Sequence, residues 1–155
     1  MTAAALASDV VARLGDTRLV VVANREPYVH LKHVREPGLM GRLVGRKPAT
    51  RFSWMQPASG LVTALDPVMR ACGGTWVAHG SGSADRDVVD GADRVRVPPG
   101  QDEYWLRRIW LTEADEQGYY YGFANEGMWP LCHVAHVRPV FRESDWEAYR
   151  AVNQR

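Results

Sequence analysis

Residues 119–133 (YYYGFANEGMWPLCH) concentrate side chains that suit a sugar-binding surface. The run combines tyrosines, a phenylalanine and a tryptophan with two glycines, an asparagine and a histidine. Tyr and Trp each join a flat apolar face to one polar atom, which suits a half-wet site. Sugars offer the matching surface, with C–H patches for stacking and hydroxyls for hydrogen bonds. A buried aromatic helix whose glycines allow close packing explains the same composition, so both interpretations stay open here.

A second group of residues favours anion binding. Arg25 follows the apolar run 19–23, which predicts a strand, and ligands of open α/β sheets bind at the carboxyl ends of strands. A guanidinium there can hold a phosphate with two hydrogen bonds. Ser59 and Gly60 start a predicted helix, where free N–H groups attract anions and a residue without Cβ allows close approach. A surface salt bridge and a packing glycine would explain Arg25 and Gly60 equally well.

The sequence gives little support for a metal site or for a catalytic nucleophile. A zinc site could be suggested by Cys132, His133 and His136. Their spacing is poor evidence for one, and no second Cys-x-x-Cys accompanies them. We therefore expect no metal and interpret His133 as a hydrogen-bonded core histidine. Cys72 and Cys132 are too few for a disulfide framework and are expected to be reduced core residues. The chain contains neither a Gly-x-Ser-x-Gly elbow nor a P-loop motif.

Length and composition place the chain among ordinary globular domains. It has 155 residues, 46% hydrophobic and 24% charged, which is about one domain of chain. A net charge of +1 argues against a dedicated nucleic-acid binder. No apolar run approaches the length of a membrane span, and residues 1–14 make a poor signal peptide. The expected location is the cytoplasm.

The hydrophobic pattern predicts alternating strands and helices. Residues 19–23 form a short β-branched run that fits a strand buried on both faces. Ser59 can cap a helix that runs to about Cys72, which Pro67 should kink or break. The other predicted elements are helices over 4–14, after Thr112 and from Ser144 with Glu147 in a capping box, and strands over 75–78, 94–97 and 104–111. The order strand, helix, strand predicts a βαβ unit.

Residues 26–57 form a long connection with many basic residues and interspersed glycines. A structureless loop of this length is uncommon in a compact domain and is usually functional or mobile. A solvated flap would account for its composition. The basic residues favour instead a mobile lid over phosphates.

Five motifs, in this order and at similar spacing, resemble the amino-terminal part of trehalose-6-phosphate synthases, the family 20 glycosyltransferases. They are residues 18–25 (RLVVVANR), 58–65 (ASGLVTAL), 73–80 (GGTWVAHG), the aromatic run 119–133, and 145–153 (DWEAYRAVN). The resemblance covers residues 18–155. It implies the acceptor-side, Rossmann-like half of a GT-B glycosyltransferase over 18–155, incomplete at its carboxyl end, with 1–17 as a helical extension. The donor-binding domain would be absent, so the chain is expected to be a fragment.

The resemblance also implies roles for residues at the strand end and helix start. Arg25 matches the arginine that contacts the acceptor sugar phosphate, and Gly60 matches the second glycine of a Gly-Gly pair that contacts the donor pyrophosphate. Ser59 replaces the first glycine of that pair, which changes the backbone freedom of the loop. No catalytic nucleophile is assigned.

The aromatic positions are carried over in the same way. Tyr120 and Trp129 match residues that line the glucose-6-phosphate pocket, and Trp76 matches a tryptophan close to it. The chain departs from the family at Tyr121, where Asn is frequent, and at His79, where a second Trp is common. Both departures bear on which acceptor is preferred.

The implied reaction moves glucose from a nucleotide-glucose to glucose-6-phosphate with retention of configuration, as in trehalose biosynthesis. The nucleotide-glucose is a co-substrate, and no separate cofactor or metal is expected. The expected partners are this nucleotide sugar and the sugar phosphate, without nucleic acid or membrane, and the full-length protein could be a homo-oligomer. Two alternatives stay open: a glucosylglycerol-phosphate synthase with another phosphorylated acceptor, and a noncatalytic regulatory module that binds sugar phosphates.

Overall fold

The computed structural model describes residues 3–15, 17–133 and 136–155, and the chain divides into two compact units. Unit 1 is Met1–Ile109 and unit 2 is Trp110–Arg155. The elements of unit 1 are α1 (Ala3–Leu14), β1 (Val20–Val22), β2 (Val29–Arg35), α2 (Leu39–Leu43), β3 (Ala49–Met55), α3 (Gly60–Cys72), β4 (Thr75–His79), α4 (Asp85–Val88), β5 (Arg94–Val97) and β6 (Tyr104–Ile109). Those of unit 2 are α5 (Glu113–Glu116), the π-helix π1 (Gln117–Met128), α6 (Trp129–Cys132) and α7 (Glu143–Val152).

The main sheet of unit 1 has the strand order β1-β4-β6-β5. The pairs β1–β4 and β4–β6 are parallel, and β5 joins β6 as an antiparallel edge strand. The parallel register aligns Val21, Trp76 and Leu106 across the sheet. Trp76 and Leu106 pack with Val62 and Met69 of α3 in the core. The predicted Rossmann-like sheet with flanking helices is confirmed, and its antiparallel edge makes it mixed.

Helix α3 forms the connection between the neighbouring parallel strands β1 and β4. Ser59 is its N-cap and accepts a hydrogen bond from the Val62 N–H at 3.5 Å, as its position before the apolar run predicts. The helix ends at Gly73, whose φ of 70° lies in the left-handed region that glycine tolerates. Pro67 lies inside the helix without breaking it, because burial of one helix face outweighs one lost backbone bond.

Strand β1 differs from its prediction. Val20 and Val22 are 59% and 76% exposed, so the strand is not buried on both faces. It is an edge strand of the described sheet, paired with β4 alone. The continuous apolar run predicts a strand correctly but cannot show what lies against its outer edge.

The connection over residues 26–57 is also different from its prediction. It is not structureless: β2 and β3 pair as an antiparallel ribbon from Val29↔Met55 to Arg35↔Ala49, with α2 between them. Tyr28 contacts Trp54 edge-to-face at a centroid distance of 5.6 Å at the base of the ribbon. The mobility of this segment and its role as a lid remain predictions.

Unit 2 begins with a capping box, in which Thr112 and Asp115 each accept a hydrogen bond from the other's backbone N–H at 3.0 Å. The capping box predicted at Ser144 and Glu147 is wrong. Helix α7 begins at Glu143 with Arg142 as its N-cap, so Ser144 lies inside the first turn. Arg142 instead binds the Asp145 carboxylate at 3.0 Å, a contact that a local Ser-x-x-Glu pattern does not reveal.

Candidate functional site

The carboxyl edge of the main sheet carries Arg25, three residues beyond the end of β1. Its side chain is exposed, and its backbone is held from below by Trp76. Trp76 is completely buried, and its indole Nε1–H donates to the Arg25 carbonyl at 3.1 Å. The structure therefore brings these two predicted residues together, with Arg25 outside and Trp76 in the core beneath it.

A buried polar cluster lies immediately beside Arg25. Arg108, at the end of β6, pairs with the carboxylates of Glu26 and Asp85, the latter at 2.6 Å. The same guanidinium donates to the carbonyl oxygens of Tyr28 at 2.7 Å and His79 at 3.2 Å. Burial lowers the pKa of Arg108 from its ordinary value, yet a guanidinium between two carboxylates keeps its proton at neutral pH.

The turn after β4 closes the cluster. The Ser81 hydroxyl and N–H both donate to Glu26, and the N–H of Gly82 donates to Asp85 at 2.8 Å. Gly82 is required here, because a Cβ would lie 2.3 Å from the His30 carbonyl oxygen. His30 Nδ1 lies 2.9 Å from the Asp85 carboxylate and completes its set of neighbours. The ends of β1 and β4 and the start of β2 thus meet around one buried arginine.

A second buried network lies deeper in unit 1. The Tyr104 hydroxyl donates to Asp66 at 2.7 Å, and the Tyr28 hydroxyl donates to the same carboxylate at 3.1 Å. Burial, together with the charge and hydrogen bonding of Asp66, raises the pKa of both phenols. Both tyrosines therefore remain neutral donors at physiological pH and fix α3 against the sheet.

Ser59 and Gly60 form an open helix start. Gly60 is the first residue of the 13-residue helix α3, and a Cβ built there meets no atom within 4 Å. The space above it is therefore free for a ligand to approach, and the first N–H groups of a helix attract anions. The structure places Ser59 and Gly60 where the sequence predicts them.

In unit 2, Gly118 and the two glycines of the aromatic run form one packing surface. A Cβ on Gly118, Gly122 or Gly127 would lie 2.5–2.6 Å from Ala148, Asp145 or Phe141, respectively. Because π1 closes i→i+5 bonds, the spacings of four and five residues keep these glycines on one side. In an α-helix, residues 122 and 127 would lie about 140° apart. The close-packing interpretation is thus correct for the glycines.

The aromatic side chains of π1 are only partly covered, as a wet site requires. Phe123 contacts Tyr149 at 4.5 Å and Trp146 at 5.1 Å between ring centroids, which docks π1 on α7. Tyr120 is half-buried and contacts Tyr121 edge-to-face at 5.1 Å. Burial raises the pKa of Tyr119 to about 12, so its hydroxyl stays protonated.

Trp129 is 53% exposed and stacks on His133, with ring centroids 4.0 Å apart and planes 11° from parallel. His133 Nδ1 lies 2.9 Å from the Trp129 carbonyl oxygen. The expectation of a core histidine at this position is wrong, because the ring lies on the surface against the indole. Both cysteines are free thiols, with Cys132 exposed and Cys72 half-buried. The prediction that Cys132 lies in the core is therefore wrong.

An open groove of about 490 Å³ lies within unit 2, beside Gly118 and Gly122. Its charged groups are matched to each other, because Arg142 binds Glu126 at 2.7 Å and Asp145 at 3.0 Å. Two carboxylates and one guanidinium leave the groove with one net negative charge, so it offers hydrogen-bonding rather than anion-binding chemistry.

The six predicted site residues fall into separate regions. Arg25, Trp76, Ser59 and Gly60 belong to unit 1, and Tyr120 and Trp129 belong to unit 2. Sequence reasoning missed the cluster around Arg108. A sign of it was present: Tyr104, Leu106 and Arg108 alternate along β6 and are all buried, so the arginine occupies a position directed into the core.

Within the described residues, no group of three His, Cys, Asp or Glu side chains could hold a metal ion. None of the described helices is long and apolar enough to cross a membrane.

The chain is similar to known proteins over nearly all of its length. The family model described as Glycosyltransferase family 20 matches residues 17–155. The trehalose-6-phosphate synthase of Mycobacterium avium (strain 104) is 36% identical over 144 residues, which is 93% of this chain and 25% of the relative. That of Mycobacterium tuberculosis (strain ATCC 25618 / H37Rv) is 37% identical over 146 residues, 91% of this chain and 25% of the relative.

A solved structure described as trehalose-6-phosphate synthase, OtsA, has the same fold. It superposes with a TM-score of 0.53 at 24% identity, over 88% of this chain and 24% of that one. The chain spans about a quarter of the length of the curated relatives it matches. Because the family model covers nearly all of its residues, the chain belongs to glycosyltransferase family 20.

Proposed function

We propose that this chain supplies the acceptor-side part of a retaining glucosyltransferase of the trehalose-6-phosphate synthase type. The reaction transfers glucose from a nucleotide-glucose to glucose-6-phosphate. The observation that best supports this is the position of Arg25, an exposed guanidinium on a firmly held backbone at the carboxyl edge of the sheet. Family membership supplies the reaction class.

Arg25 has the role of holding the acceptor phosphate. Its planar fork matches two phosphate oxygens, and its fixed backbone reduces the entropy lost on binding. Trp76 contributes through its hydrogen bond to Arg25 rather than by touching the sugar, because it is completely buried.

Gly60, with Ser59, has the role of receiving the donor pyrophosphate. The free N–H groups at the start of α3 stabilise negative charge, including the charge that develops on the leaving nucleoside diphosphate. The open space at Gly60 allows the backbone to come close to the phosphate oxygens. The main physical task is to hold donor and acceptor in contact and in the right orientation.

The aromatic residues of unit 2 have the role of binding the acceptor sugar. Trp129 presents an indole face that stacking on His133 keeps in place, and Tyr120 lies among tyrosines whose packing restricts its rotation. Flat aromatic faces stack on sugar C–H groups while phenol and indole hydrogens reach the hydroxyls. These assignments rest on the family resemblance together with the partial exposure of both side chains.

Glucose-6-phosphate binding to the 155-residue chain tests the proposal. We expect saturable amide shifts by NMR, with Arg25→Ala weakening binding by about thirty- to a hundredfold through loss of a charge-assisted contact. Arg25→Lys should restore only part, since a point charge cannot copy the planar fork. Arg18→Ala is the matched control, because Arg18 is an exposed arginine at the opposite end of β1.

Two outcomes would contradict the proposal. One is equal affinity of wild type and Arg25→Ala for glucose-6-phosphate, and the other is the absence of any binding by the wild type. The chain mixed with nucleotide-glucose and glucose-6-phosphate should form no trehalose-6-phosphate, because the proposal gives it the acceptor side alone. Turnover would show that it is more than the acceptor-side part.

A further inference from the structure

Arg108 connects the segments that surround the candidate phosphate site. It is 1% exposed, and its guanidinium contacts the side chains of Glu26 and Asp85 and the carbonyl oxygens of Tyr28 and His79. These four partners belong to the segment after β1, the end of β4 and the start of α4. One side chain thus fixes the relative positions of three separate pieces of chain at the carboxyl edge.

The backbone of Arg25 is held on both sides by this arrangement. On one side, the Trp76 indole donates to the Arg25 carbonyl at 3.1 Å. On the other, the next residue, Glu26, is bound by Arg108 and by the Ser81 hydroxyl. A displacement of the Glu26 backbone therefore bears directly on the adjoining Arg25 carbonyl and its bond to Trp76.

Stability alone is a poor explanation for a buried arginine here. In the part of the chain that the structure describes, one buried side-chain polar atom has no hydrogen-bond partner. That atom is the Nε of Arg108. Burying a charged group with an unmade hydrogen bond is costly, and apolar replacements of buried ion pairs are often as stable or more so. The cost of burying Arg108 is explained if its guanidinium is needed to orient the chain segments that it binds.

We propose that Arg108 is a positioning residue that sets the backbone of Arg25 for binding the acceptor phosphate. This role rests on the proposed function of Arg25. Arg108 does not touch the ligand; it acts through Glu26 and the Tyr28 carbonyl. A lysine carries its charge on one ammonium group and cannot donate to all four acceptors as the guanidinium does. A positive charge alone is therefore insufficient to position these segments.

Two variants test the link from its two ends, Arg108→Lys and Glu26→Gln. Both keep a polar group in the buried site, so both should fold. The first readout is hydrogen exchange of the Trp76 indole N–H, which should become faster in both variants as the Arg25 carbonyl moves away. The second is glucose-6-phosphate affinity, which should fall about tenfold in Arg108→Lys through misalignment of the Arg25 contact.

Tyr104→Phe is the control for general destabilisation. Tyr104 lies at the opposite end of the same strand, and its hydroxyl donates to Asp66 of α3. This variant should lower the melting temperature and speed the Trp76 indole exchange no more than the lost stability accounts for, while leaving the glucose-6-phosphate affinity at its wild-type value.

The double variant Arg25→Ala/Arg108→Lys separates positioning from a structural role. If Arg108 acts through Arg25, the second substitution adds little to the loss caused by the first. Additive losses, or unchanged indole exchange in Arg108→Lys, would overturn the inference. If the wild type binds no glucose-6-phosphate, the proposed function fails, and the indole exchange of Trp76 alone decides whether Arg108 positions Arg25.

Discussion

In unit 1 the segment that carries Arg25 is fixed by buried charge, whereas in unit 2 the helix π1 that carries Tyr120 is fixed by shape. Around Arg108, two carboxylates and two carbonyl oxygens determine where three chain segments meet. Along π1, glycines leave no room for a Cβ against the chain that packs on them. Both arrangements leave the candidate ligand-binding side chains at least partly exposed.

The difference matches the chemistry that each region would perform. A phosphate needs a guanidinium in one orientation, and a buried hydrogen-bond network specifies orientation well. A sugar face needs a flat apolar surface, and close packing holds aromatic rings without polar atoms that would compete for the hydroxyls. Substitutions should therefore affect the two regions through different physical terms.

The largest effect should come from removing the buried charge. Arg108→Met leaves Glu26 and Asp85 as uncompensated buried carboxylates, so we expect the free energy of unfolding to fall by about 3–5 kcal/mol. Arg142→Met removes a comparable pair of contacts in unit 2, but these are exposed and their loss should change stability far less. Urea unfolding of both variants measures the contrast. Equal destabilisation would contradict the distinction between buried charge in unit 1 and exposed charge in unit 2.

The next effect should come from filling the glycine surface of π1. Gly122→Ala places a methyl group 2.5 Å from the Asp145 carboxylate, so this side chain or α7 must shift, at a cost of about 1–3 kcal/mol. This sign is informative, because Gly→Ala in an ordinary helix stabilises by up to about 1 kcal/mol. Gly91→Ala is the control, since a Cβ there meets nothing within 4 Å. Thermal unfolding that shows Gly122→Ala stabilised would mean that the glycines are not packing residues.

Local sequence signals predicted the parts of the fold that local forces determine. The β-branched run of β1, the Ser59 cap and the Thr112 cap depend on a few neighbouring residues, so their types and spacing were sufficient. The position of Arg25 beyond the first strand followed from strand direction alone.

Features that depend on distant partners were not predictable in the same way. The ribbon of β2 and β3 lacks a clean alternation of apolar and polar residues, because much of its surface is exposed. The role of Arg108 depends on its contact with Glu26, which is distant along the chain and is brought beside it by the fold. The spacing of five between Gly122 and Gly127 does not fit an α-helical period, so the sequence suggested close packing but not that these glycines share one face of π1.

A smaller effect should follow from loosening the Trp129 ring. His133→Ala removes the stacked partner, so the indole becomes more mobile and glucose-6-phosphate affinity should fall roughly twofold to tenfold, as expected for one aromatic pair. The Trp129 indole resonance should broaden or shift at the same time. His136→Ala, another exposed histidine, is the control. Unchanged affinity with a shifted indole signal would remove Trp129 from the proposed acceptor site.

The smallest effect concerns an exposed charge pair in unit 2, where neither burial nor shape dominates. Arg155 binds the Asp115 carboxylate with two hydrogen bonds of 2.9 and 3.0 Å, and the Thr112 N–H donates to the same group. Arg155, followed by the Thr112 backbone, lowers the pKa of Asp115 to about 2. Because the folded pKa is below the ordinary value of about 3.9, the stabilising contribution is present above pH 4 and is lost as the pH falls through about 2.

Arg155→Met should raise the pKa of Asp115 toward its ordinary value, which a carboxyl ¹³C titration by NMR can follow, with Arg150→Met as the control. Stability near pH 7 should hardly change, since exposed pairs contribute little there. An Asp115 pKa that stays near 2 in Arg155→Met would assign the shift to the Thr112 cap instead.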